Sequence, residues 1–178
     1  MADFTNADGL TRHYGPQDVR NKAFQVVNMP GGAKQLVVDF AYNDLPSFDA
    51  DAGGGSTPDS FSDAIPFIPA GSFIKSAYLV TVTDWATADS AVLDIGTYTQ
   101  AGSAIDADGI FDGVAAASLD VGDVVKANGV DVVETTGTFD GGVVSTTEKA
   151  YIRVQQLVGS FTTGKSRLIV EYVPGVAA

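Results

Sequence analysis

The chain has 178 residues, 45% of them apolar, no cysteine, and 22 acidic against 10 basic side chains for a net charge of −12. That length suits one domain with its own core, and the missing thiols exclude disulfide frameworks, thiol catalysis and cysteine metal sites. An acidic body repels nucleic-acid phosphates and anionic membranes, so neither is expected as a partner.

No run of about 18 apolar residues is present to span a bilayer. The start, MADFTNADGL, lacks the charged and apolar regions of a signal peptide. A protein made and used without crossing a membrane is expected. The charge is uneven: residues 1–35 hold four basic groups (Arg12, Arg20, Lys22, Lys34) against Asp3, Asp8 and Asp18, for +1. The remaining six basic and 19 acidic groups give residues 36–178 a charge of −13.

Residues 1–35 sustain neither a period of 2 nor one of 3.6, and Asp8-Gly9, Gly15-Pro16 and Met29-Pro30-Gly31-Gly32 are turn signals. Phe4, Leu10, Tyr14, Phe24, Val26 and Val27 nevertheless make the segment too apolar for a solvated tail. It reads as an extended arm over 1–32 that gains order by lying on something, either the body at 33–178 or a neighbouring subunit.

Ala33–Leu45 is the first strand, with Leu36, Val38, Phe40 and Tyr42 on one face. Residues 46–64 form a long Gly/Asp/Ser loop of the kind that is functional or mobile. Ile65–Ile95 is the structural centre. It turns at Ala70-Gly71, runs Phe73–Thr83 in strand-forming residues, and pairs with a second run, Ser90–Thr99, across the loop Asp84–Asp89. Asp106–Leu119 is the one helix candidate, capped by Asp106 or Asp108, with Ile110 and Val114 at helical spacing and Gly113 limiting it to two or three turns. Val121–Val133 breaks at Asn128-Gly129, and 135–147 is loop-like. Ala150–Val158 and Lys165–Val173 form a closing hairpin across Gly159–Gly164, in which Leu168, Val170 and Tyr172 oppose Arg167, Ile169 and Glu171. Seven or eight strands and one short helix predict an all-β, jelly-roll-like β-sandwich preceded by an extended N-terminal arm.

Little of this carries chemistry. The single histidine, His13, lies in the arm, and no Gly-x-Ser-x-Gly elbow exists, so a Ser–His–Asp triad is not expected. The run Asp106-Ala-Asp108-Gly109 resembles part of a calcium loop, but position 6 is Phe111 and position 12 is Ala117, where the loop needs Gly and Glu. Helix capping is its expected role. Phosphate-binding glycine motifs are absent. An acid pair for glycoside hydrolysis is allowed by composition, yet no pair stands out among aspartates that suit caps and turns. Trp85, the lone tryptophan, either stacks on a sugar or packs over the sandwich end, the latter being its ordinary role. No catalytic residue, metal or cofactor is expected.

Several short motifs occur in one order along the chain. Ala7-Asp-Gly-Leu-Thr-Arg-His-Tyr-Gly15 resembles the D-G-L-x-x-x-Y-G opening of a family of tailed-bacteriophage capsid decoration (cement) proteins. Phe67-Ile-Pro-Ala-Gly71 with Phe73–Ala77, then Ala91-Val-Leu-Asp-Ile-Gly96, then Ile105-Asp-Ala-Asp-Gly-Ile-Phe-Asp112, and finally Gly164–Val173 resemble later segments of that family. Residues 46–64 and 135–149 match none of it. The resemblance implies a non-enzymatic protein on the outer surface of a virion, bound to the major capsid protein and to itself as a homodimer or homotrimer. The contacts would come from the arm through Phe4, Leu10, Arg12, Tyr14, Arg20, Lys22 and Phe24. The alternative is a carbohydrate-binding sandwich on a virion or secreted protein, which predicts an exposed aromatic strip including Trp85.

Overall fold

The computed structural model describes residues 2–5, 11–14, 24–45, 66–129 and 148–175. Eleven strands are found among them: β1 (Ala2–Thr5), β2 (Thr11–Tyr14), β3 (Phe24–Asn28), β4 (Lys34–Ala41), β5 (Phe67–Ile68), β6 (Phe73–Thr87), β7 (Val92–Tyr98), β8 (Ala104–Ala115), β9 (Val124–Lys126), β10 (Ala150–Leu157) and β11 (Phe161–Val173). They form a seven-stranded sheet in the order β1-β2-β3-β4-β11-β6-β9 and a four-stranded sheet in the order β5-β10-β7-β8.

From β4 onward the wiring is that of a jelly roll. Strand β4 pairs with β11, β5 with β10, β6 with β9 and β7 with β8, all antiparallel. A long ribbon of nested pairs has been rolled so that alternate pairs fall in opposite sheets. The three N-terminal strands then lengthen one of those sheets past β4. Strands β3 and β4 are joined by five register pairs.

The core lies between the sheets and follows the period of two. Leu36, Val38 and Phe40 on β4, and Leu168, Val170 and Tyr172 on β11, are buried and face Leu93 and Ile95 of β7. On β6 the alternation slips at Lys75. Glu171 pairs with Ser76 and Tyr172 with Ile74, so one extra residue sits in the strand and both Ile74 and Ala77 reach the core.

The expected helix over Asp106–Leu119 is not formed. Its residues build β8, and only Ala116–Ser118 take a single 3-10 turn. Ile110 and Val114, four apart, satisfy a helical stripe and a strand face equally, and the ladder to β7 decides between them. That ladder is irregular. Between the pairs Ile95–Phe111 and Thr97–Asp106, β7 advances two residues while β8 advances five. The surplus lies over Gly96, where a Cβ would collide with the backbone of Asp106 and Ala107, so only glycine fits. A second bulge leaves Gly113 at φ +63° between the pairs Leu93–Val114 and Ile95–Phe111. The other boundaries differ by a few residues. Strand β6 continues through the expected loop to Thr87, and β11 begins at Phe161.

Candidate interaction surface

The residues expected to bind a partner through the arm fall into three groups. Phe4 of β1 stands in register with Arg12 of β2, and Arg12 in turn with Gln25 of β3; Tyr14 is opposite Ala2. Leu10, Arg20 and Lys22 lie outside the described residues. Phe24 is in the core: its side chain is 1% exposed and its ring meets Phe67 edge-on at 6.1 Å. Burial there makes it the residue that fastens β3 to the sandwich, and a side chain so enclosed has no surface to offer a partner. Among the described residues, five register pairs join β3 to β4 and two join β2 to β3.

The outward face of the seven-stranded sheet has no helix or second layer over it among the described residues. Residues that alternate with the core positions point outward. On β6 and β11 these are Tyr78, Val80, Val82, Ile169 and Val173, and on β4 Val37. Phe73, Val82, Val124 and Val173 are each at least 40% exposed, and all four belong to this face. Val173 pairs with Phe73 at one end of the face and Val124 with Val80 toward the other, with Lys75 and the hydrogen-bonded pair Ser76–Glu171 between the two apolar clusters. Toward β3 the surface sinks into a groove of about 290 Å³ lined by Gln25, Val27, Gln35, Val37, Asp39 and Ile169, with Arg167 at its rim. Arg167 donates two hydrogen bonds to the Asp39 carboxylate, at 2.7 and 3.0 Å, which pairs the guanidinium with its cross-strand neighbour and raises its pKa.

The four-stranded sheet carries polar residues on its side away from the core. Gln155 is in register with Asp94, Arg153 with Gly96 and Tyr151 with Tyr98. The Tyr98 hydroxyl donates to Gln155 at 3.2 Å, and the Arg153 guanidinium lies 5.2 Å from the Tyr98 ring centre. Burial raises the tyrosine pKa and lowers that of the arginine. Asp94, 5% exposed, accepts a hydrogen bond from the Gly113 N–H at 2.8 Å. Burial, outweighing that bond and aided by Asp112 and Asp108, pushes its pKa up to about 6. Among the described residues no group of three or more His, Cys, Asp or Glu side chains is placed to hold a metal ion.

Trp85 is 4% exposed. Its indole N–H donates to the Ser166 hydroxyl at 2.8 Å, and its ring packs on Phe161 at 4.9 Å and Phe40 at 5.8 Å. An exposed aromatic strip including Trp85 is therefore not present. The indole is a plug at one end of the core, because its polar atom is satisfied inside and its faces are covered. The residues that do form a surface were hidden in the sequence by a missing alternation. β6 is apolar on both faces, which from sequence alone signals only a strand covered on both sides.

No family model matches the chain, and no curated protein does. Among solved structures, a chain titled "Cyanophage Pam1 capsid asymmetric unit" aligns with a TM-score of 0.47 and 20% sequence identity, over 80% of this chain and 84% of that one. A likeness of this degree assigns neither a family nor a role.

Proposed function

We propose that this protein is a non-enzymatic component of a phage particle that binds the outer surface of the capsid and ties neighbouring major capsid proteins together. The reading is carried by the ordered series of decoration-protein motifs from Ala7 to Val173. The jelly-roll wiring suits it, and so does the N-terminal segment, whose strands lengthen a sheet of the sandwich and end, among the described residues, in an edge at β1. Such an edge offers backbone donors and acceptors to a neighbouring chain. The body behind it is rigid and acidic and suits a solvent-facing knob. Self-association as a dimer or trimer would multiply weak individual contacts.

The test is deletion of residues 1–23, which stops short of the buried Phe24. The shortened protein should fold with an unchanged melting transition and no longer co-sediment with capsids. Undiminished capsid binding would remove the arm from the function.

A further inference from the structure

We infer that the outward face of the seven-stranded sheet is the surface that seats the protein on the capsid, and that its counterpart is an apolar patch ringed by carboxylates. The inference rests on the capsid-binding reading above and assigns the docking face within it.

Two observations carry it. The first is apolar exposure. Four of the seven large apolar side chains that are prominently exposed among the described residues, Phe73, Val82, Val124 and Val173, lie on this one face. The others, Tyr42, Val121 and Val158, stand in separate turns. Exposed apolar residues gathered on one face mark a contact site, whereas residues scattered singly do not.

The second is charge. Four cations, Lys75, Lys126, Lys165 and Arg167, and three carboxylates, Asp39, Asp84 and Glu171, point outward on the described part of this face, giving it +1. The chain as a whole is −12, so the rest of it carries −13. The exposed Asp89, Asp112, Asp120, Asp123 and Glu148 belong to that remainder. A strongly acidic molecule has thus offset its acid with cations on one sheet face, and the partner such a face selects is an acidic one. A second copy meeting it face to face would bring two bodies of −12 together.

The size of the face fits a shared load. Five strands about 4.8 Å apart, each with three outward residues spaced about 6.7 Å, cover roughly 400 Å². That is about half the ~800 Å² per partner of a standard stable interface, so one contact is weak and several together hold. Strands β1 and β2 extend the sheet that carries this face, with Arg12 in register with Gln25.

Two full-length variants test this. Val82→Asp with Val124→Asp places charge in the apolar patch, and Lys126→Glu with Lys165→Glu reverses exposed cations without touching the core. Each is compared with the unaltered protein for co-sedimentation with empty shells assembled from the major capsid protein of the virus that encodes the chain, at low and high salt. Both variants should bind about tenfold more weakly or worse, and the unaltered protein should lose affinity as salt rises. Unaltered protein that binds shells as well as both variants do would overturn the inference and leave the capsid reading standing. Unaltered protein that binds no shells would overturn both. Self-association that disappears in the same variants, seen by sedimentation velocity, would make the face a contact between copies and also overturn the inference.

Discussion

Asp94→Asn should stabilise the protein at neutral pH and have no stabilising effect in acid. Asp94 is 5% exposed, and its carboxyl is displaced upward from 3.8 to about 6, chiefly by burial. A carboxyl whose folded pKa exceeds its unfolded one contributes stability that is fully present below about 3.8 and is lost as the pH rises through about 6. Two pKa units correspond to ~3 kcal/mol of strain in the charged form at pH 7.5. Asparagine keeps an oxygen for the Gly113 N–H and carries no charge, so it relieves that strain but adds the burial cost of its own amide. The net gain should be about 1–2 kcal/mol. For a domain of this size that is a rise in melting temperature of about 3–6 °C. Urea unfolding of both proteins at pH 7.5 and near pH 3.5, followed by tryptophan fluorescence, measures the difference directly. An equal shift at both pH values, or a less stable variant at pH 7.5, would refute the assignment of Asp94 as a buried carboxylate held against its preference.

Two further substitutions probe the packing and the exposed ion pair. Gly164 has φ +136°, and a Cβ there would run into the Trp85 ring, so Gly164→Ala should cost more than about 2 kcal/mol and red-shift the emission of the single tryptophan. A variant with unchanged emission and stability would show that the indole moves aside freely. Arg167→Ala removes a bidentate pair whose two side chains are 50% and 46% exposed. Solvent screens such a pair, so stability should change by less than about 1 kcal/mol in denaturant unfolding. A larger loss would mean that the guanidinium is structural and would complicate its use as a surface cation.

What the sequence reveals about the fold depends on how local the deciding contact is. The alternation of Leu36, Val38 and Phe40, and of Leu168, Val170 and Tyr172, is visible in the chain and matches the buried faces. Strand β8 is not readable in that way. Its aspartates resemble caps and its apolar residues fit either period, while the ladder that settles the matter belongs to β7 and depends on Gly96 leaving room for a bulge. The buried position of Trp85 depends likewise on Ser166 and Phe161, some eighty residues away in sequence. The exposed sheet face escapes a sequence reading for a related reason. An apolar residue that faces solvent looks the same as one that faces a second layer, and only the strand order shows which side stays uncovered.

The nesting of the strands also sets the order in which the molecule can be completed. Strand β11 lies between β4 and β6, and neither has another partner on that side. Arg167 and Asp39, which it brings side by side, are separated by 128 positions. During synthesis β4 and β6 must therefore wait, unpaired along one edge, until the chain has been made through Val173. Loop closure over such distances slows folding and leaves adhesive edges open in the meantime. Premature chains halted before β11 should be rescued by supplying the missing strand as a separate peptide.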